Sequence, residues 1–411
     1  MTVNRIQAHV RSGNCAARYA SGVLASLLLT ALLAGCGGGE SKTGSNGTGL
    51  VPPMTDAFVA SGAVAALGPT TVGGTAFDDS GAQPQINADA PRTPADIRLG
   101  MLVEAGGTIV SNAAAGTVRT MIAQSAVIGT VSAVDLAAQR MTVLSLPVQL
   151  DQNTILDGVS ALSSVAIGAR VEVFGYTVPP AATVFATRIV ARAANASAPV
   201  ELLGTTGAAT ASQFTVQGLT VATGAATLAM VGGVVPSPAV PVSSLGNNVR
   251  VRVIGTFDAN SNTIVAAQVL NGLASVRDDN SVIVLDGIVQ SVTSPGRFRL
   301  SDTDVDAGTV GGAAAVPGAR VQVRGRKLLG VLTASEFRVI SAGTRIEYSL
   351  QGEIANFASI ASFMVRGELI DASAAIVTGG LAIDLANGRR VRVKASAGPG
   401  RLSASEVAFV P

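Results

Sequence analysis

The sequence contains no tryptophan, one histidine and two cysteines; 13% of its residues are charged and 3% are aromatic. Each shortage removes a class of chemistry. The histidine is His9 and the cysteines are Cys15 and Cys36. Beyond Cys36 the chain therefore has neither imidazole nor thiol, the commonest general base, metal ligand and sulfur nucleophile. Ser-His-Asp and Cys-His sites are excluded from that part, as are zinc and redox-metal sites built on those ligands, and no cofactor is expected. A disulfide within residues 37–411 is excluded too. The chain lacks the Glu, Lys and Leu richness of helical proteins. Few aromatics leave little to stack on bases or sugars.

Charge of one sign is also missing. Residues 1–36 hold Arg5, Arg11 and Arg18 and no acid, which leaves 25 basic against 26 acidic residues in the rest. The formal +2 of the whole chain thus becomes −1 beyond Cys36. A near-neutral body offers no global attraction to nucleic acid, which is not expected as a partner. What is abundant is glycine, 47 residues, in a chain that is 48% hydrophobic. That combination reads as many turns joining many small-residue strands.

Residues 1–18 are basic, and residues 20–34 form an apolar run. The run is shorter than the about 20 residues that cross a bilayer core and suits the apolar region of a signal peptide. It ends in Leu33-Ala34-Gly35-Cys36, which resembles the lipobox of bacterial lipoproteins. The resemblance implies a signal peptide over residues 1–35, a diacylglycerol on the Cys36 thiol and a third acyl chain, commonly palmitate, on the new amine. Several chains make anchoring stable where one holds only marginally, at about 0.8 kcal/mol per buried CH₂. Gly37 stands where an aspartate would favour retention at the inner membrane, so the resemblance implies the outer membrane. The alternatives are an ordinary secretory leader and a retained membrane helix. Residues 36–57 read as the lipidated cysteine and a flexible linker, and 17 residues of such composition have an r.m.s. reach of roughly 20–25 Å.

The remainder repeats itself, with units at 58–125 (worn), 126–197, 198–275, 281–343 and 345–411. The clearest fragment is Gly168-Ala169-Arg170-Val171-Glu172-Val173-Phe174-Gly175. It returns as Arg250-Val251-Arg252-Val253-Ile254-Gly255, as Gly318-Ala319-Arg320-Val321-Gln322-Val323-Arg324-Gly325 and as Gly388-Arg389-Arg390-Val391-Arg392-Val393. A closing fragment follows each: Ala186-Thr187-Arg188-Ile189, Ala266-Ala267-Gln268-Val269, Ala334-Ser335-Glu336-Phe337 and Ala404-Ser405-Glu406-Val407. Apolar and polar residues alternate, the period of a strand with one buried face. Residues 257–263, FDANSNT, read as a hairpin turn. About five short strands per unit predict an all-β chain of tandem small OB-like barrels, in which closure removes sheet edges. A long sandwich or solenoid of the same strands is the alternative. The pattern resembles the bacterial family called domain of unknown function 5666, well over residues 126–411 and poorly over 58–125. That resemblance implies a β-barrel and a cell-envelope setting, with no established activity and no catalytic residues to carry over.

The remaining candidates for chemistry are weak. Asp302, Asp304 and Asp306 alternate like the start of a calcium loop, but Gly308 falls one place late and Ala313 stands where a glutamate is required. Paired carboxylates for a hydrolase belong to no recognisable motif, which leaves that reading a remote alternative. Arginine is the repeated feature: Arg170, Arg250, Arg320 and Arg390 share one slot, and Arg252, Arg324 and Arg392 extend it. Alternation places them opposite the buried valines, on a solvated outer face. The function expected is a non-enzymatic cell-envelope lipoprotein, a structural or protein-interaction scaffold whose partners are the membrane, through Cys36, and other envelope proteins. The alternative is a module that binds an anionic polymer (lipopolysaccharide, acidic glycan or nucleic acid) through these arginines. That alternative requires Arg170, Arg250, Arg320 and Arg390 to line one groove.

Overall fold

The valines of each Arg-Val-x-Val segment point inward as the alternation requires: Val171, Val173, Val251, Val253, Val321, Val323, Val391 and Val393 are all buried. The structure, a computed structural model, describes residues 55–411 except 88, 90, 111–114, 179–181, 196, 225–226, 231–244, 272–279 and 342. The expected signal peptide, Cys36 and most of the linker lie outside the described residues. Those described form strands joined by turns and short 3-10 segments, with no α-helix among them.

The first barrel holds β1 (Thr55–Leu67), β2 (Thr70–Val72), β3 (Thr75–Asp78), β4 (Gln83–Ile86), β5 (Leu102–Val110) and β6 (Ala115–Ala123). The second holds β7 (Val127–Asp135), β8 (Arg140–Val143), β9 (Leu146–Gln149), β10 (Ile155–Asp157), β11 (Arg170–Val178) and β12 (Thr183–Arg192). The third holds β13 (Val200–Gly207), β14 (Gln213–Val216), β15 (Leu219–Ala222), β16 (Thr227–Met230), β17 (Arg250–Asp258) and β18 (Thr263–Asn271). The fourth has β19 (Val282–Ser294), β20 (Arg297–Leu300), β21 (Thr303–Asp306), β22 (Arg320–Leu328) and β23 (Val331–Ile340). The fifth has β24 (Tyr348–Ser359), β25 (Ser362–Val365), β26 (Glu368–Asp371), β27 (Ile376–Thr378), β28 (Arg390–Gly398) and β29 (Arg401–Phe409).

All five close in the same way. In the second barrel, β7, β8 and β9 form an antiparallel meander, and β9 pairs parallel with β12. β12 pairs antiparallel with β11, which returns to β7. The short β10 lies parallel to β12 beyond the ring. The glycine that ends the repeated motif sits at a bulge in the hairpin that follows. A Cβ on Gly175, Gly255 or Gly325 would lie 2.4, 2.2 or 2.1 Å from the carbonyl oxygen of Phe185, Val265 or Thr333, so at these three bulges a side chain would force the paired strands to shift. In the fifth barrel Ala395 takes this place and the bulge remains.

The barrels do not follow one another in space as they do in sequence. The first, fourth and fifth share one sheet; the second and third share another. β1 makes the first connection. It pairs parallel with β19, Phe58 opposite Val282, and with β24, Ala66 opposite Ser349. β7 makes the second by pairing with β13, Val127 opposite Leu202. Cores fuse accordingly. The second and third barrels share one apolar cluster, while Ile155 and Phe174 of the second barrel pack into the cluster of the first and fifth.

Candidate functional site at the barrel junctions

The polar side chains that alternation turns outward are covered by neighbouring barrels at three junctions. At the first, Arg188 of β12 is 1% exposed. Its guanidinium donates to both carboxylate oxygens of Glu368 in β26, at 3.0 and 3.1 Å, and to the carbonyl of Leu99 at 3.0 Å. It also reaches Asp157 of β10 at 2.5 Å. Glu368 in turn accepts the Leu99 backbone N–H at 3.0 Å, so one ion pair holds the first, second and fifth barrels. Burial alone would lower the affinity of Arg188 for its proton, but Glu368 and Asp157 outweigh it and hold the group above the ordinary guanidinium range. The neighbouring Thr187 hydroxyl donates to the Gly100 carbonyl at 2.5 Å.

The second junction is built on Arg320 of β22. It holds Asp286 of β19 through two bonds of 2.9 and 2.7 Å. It also donates to the Tyr176 hydroxyl of β11 at 3.2 Å and stands over that ring, 5.0 Å from its centre. The same hydroxyl accepts the Ala63 N–H of β1 at 3.1 Å, which joins the first, second and fourth barrels. Burial pushes the Tyr176 hydroxyl well above the usual phenol range, so it remains a protonated donor and acceptor.

The third junction centres on Arg252 of β17, fully buried. It donates to Glu201 of β13 at 3.0 Å and to the Ser125 carbonyl, between the first two barrels, at 2.9 Å. Ser125 donates through its N–H and hydroxyl to Asn87, whose amide reaches Glu172 of β11. Arg192 covers the other Glu172 oxygen. Burial raises Glu201 above the usual carboxylate range, with Arg252 opposing the shift. Breaking one partner of such a pair costs about 3–5 kcal/mol, because it strands the other charge away from water.

The candidate arginines therefore separate. Arg170 donates to the carbonyls of Ala198 and Pro199 in the link between the second and third barrels. Arg250 reaches Gln124 at 3.4 Å. Arg324 is half-buried on β22, opposite Glu336 of β23. Arg392 bonds Gln351. Arg390 is exposed, on the last barrel of the chain. A solvated outer face describes Arg390 and Arg392. It does not describe Arg252 and Arg320, whose outward positions are capped by other barrels. Lys394 of β28 pairs with Glu406 at 2.9 Å.

Between the first four barrels runs a cleft of about 1070 Å³. Arg250 and Arg299 line it together with Glu104, Asp286, Asp302 and Gln290, so its charge is mixed. Of the four arginines in the shared slot, only Arg250 lines it. Asp304 and Asp306 do not converge on a common point; they pair with Arg299 and Arg297 respectively. No group of three or more His, Cys, Asp or Glu comes together among the described residues.

Sequence reading missed Glu368, Glu201, Tyr176 and Arg188 as junction residues. One signal was present: Arg188 stands where the other closing fragments carry Gln268, Glu336 and Glu406, a charge reversal at one outward position.

No curated protein matches the chain. Residues 128–190 and 204–269, in the second and third barrels, match the family model described as Domain of unknown function (DUF5666) as two tandem segments.

Proposed function

We propose that this protein is a non-enzymatic cell-envelope scaffold, anchored at the outer membrane through lipidated Cys36, whose five barrels form one rigid block that presents binding surface to other envelope proteins. The observation that carries this reading is the three-way junction at Arg188, Glu368 and Leu99. Charged groups buried between repeats add little net stability, but they admit few alternative arrangements, which suits a block that must hold its shape. The repeated arginine slot reaches a neighbouring barrel or its link at Arg170, Arg250 and Arg320. Each barrel is read as OB-like, supported by its ring order and by the parallel pairing of its third and last strands. The reading assigns no catalytic residue and no cofactor. The anionic-polymer alternative loses its support where Arg252 and Arg320 are held by carboxylates and Arg250 faces the cleft without the other three.

The test is cross-linked capture from intact envelopes with wild-type, Cys36→Ser and Glu368→Gln chains. A fixed set of envelope proteins captured by wild type, lost when the anchor is removed and reduced when the junction is broken, is the expected result. Turnover of a substrate, abolished by changing a defined carboxylate pair, overturns it.

A further inference from the structure

The hairpin between β22 and β23 turns on two residues, Leu329 and Gly330, with Leu328 paired to Val331 across its base. Both turn residues have left-handed backbone, φ +51° and +83°. Asparagine or aspartate before glycine is the residue choice such a turn favours, because leucine meets steric cost there. Leu329 is 94% exposed, so it does not recover that cost by packing against the protein, and its strand neighbour Leu328 is 46% exposed. The corresponding turn of the third barrel is polar, Asp258 to Thr263, and places Asn262 at φ +52°. Leu329 thus stands where local chemistry asks for a polar residue, and Leu328 is exposed beside it.

Their position tells what they meet. Arg326, three residues before Leu329, pairs with Asp56 at 2.5 Å. Asp56 is the second residue of β1, so the hairpin projects at the edge of the body where the covalent chain from Cys36 enters. A linker of this length and composition has an r.m.s. reach of roughly 20–25 Å, which keeps that edge close to the anchoring surface. Arg326 and Lys327 precede the leucines, an order that sets cations at headgroup level and apolar side chains below it.

We propose that Leu328 and Leu329 insert into the lipid surface on which the protein is anchored, with the Arg326–Asp56 pair and Lys327 at headgroup level. The hairpin is then a second contact with the membrane that fixes the orientation of the block. This inference rests on lipidation at Cys36.

The test uses the full lipidated chain in vesicles of phosphatidylethanolamine and phosphatidylglycerol, with an environment-sensitive dye on Leu329→Cys or, as comparator, on Ser261→Cys in the turn of the third barrel. Several-fold stronger quenching by a nitroxide-bearing lipid at position 329 than at 261 is expected, with loss of the difference when Leu328→Asn is added. Equal quenching at the two positions overturns the proposal. So does concentration-dependent shielding of the 329 dye in detergent without lipid, which would show a second copy covering the tip. The mass of the N-terminal peptide is read on the same preparation. An unacylated peptide brings down the anchor reading itself, and this proposal with it, whereas an acylated peptide with equal quenching brings down this proposal alone.

Discussion

Arg188 of β12 and Glu368 of β26 stand 180 residues apart in the chain and meet at 3.0 Å, both buried, at 1% and 4% exposure. The geometry makes the fifth barrel a condition for the burial of a charge in the second. Glu368→Gln is expected to lower stability by about 1–3 kcal/mol, since it leaves the buried Arg188 charge balanced by Asp157 alone, at the rim of the junction. Arg188→Met combined with Glu368→Leu should recover much of that loss, because replacing both partners by apolar groups removes the desolvation cost together with the attraction. Urea unfolding of the two variants measures both effects; a double variant as unstable as the single one would contradict the account.

Arg320 and Arg390 share one sequence slot and differ in surroundings. Arg320→Ala removes charged hydrogen bonds to Asp286 and one to Tyr176, each worth about 1.5–3 kcal/mol. Arg390→Ala, on an exposed side chain, should stay within about 0.5 kcal/mol of wild type. Thermal or urea unfolding of the two variants side by side checks the contrast.

Gly325→Ala places a Cβ 2.1 Å from the Thr333 carbonyl oxygen, so β22 and β23 must move apart at the bulge. Overpacking of this kind costs about 1–3 kcal/mol. Faster amide exchange confined to the fourth barrel, with an unchanged rate in the third, is the expected signature.

Acid should act locally at Asp96. The Thr93 backbone N–H and hydroxyl donate to its carboxylate at 2.9 and 2.8 Å and hold it below the usual aspartate range. A folded value below the unfolded one means that the stabilisation is present above the ordinary carboxylate range and lost as pH falls through the folded value. Asp96→Asn should therefore be less stable than wild type at neutral pH, and the difference should shrink on acidification. A difference that grows on acidification would reverse the sign.

The inward half of this protein was legible in its sequence, and the outward half was not. Alternation alone placed Val251 and Val253 in a core, since a strand's two faces are decided by its immediate neighbours. The turn at 257–263 was equally local: β17 ends at Asp258 and β18 begins at Thr263. Arg252 lies between those valines and was read as solvated, because its partners, Glu201 and the Ser125 carbonyl, depend on how separate barrels meet. Nothing local links Asp286 to Arg320, 34 residues on. The same limit hid the arrangement of the barrels. Repeats in series suggested neighbours in series, whereas β1 passes over its nearest successors to reach β19 and β24.

That long reach sets an order of events for a chain synthesised from the amino end. Residue 58 must wait for residue 282, and residue 66 for residue 349, before the flank of β1 finds its ladder partners. Until then a stretch of unpaired backbone stands open to any other unpaired strand, a hazard at high local concentration. Chains cut short before the fourth repeat keep that flank exposed permanently. They are the products that quality-control proteases should clear first.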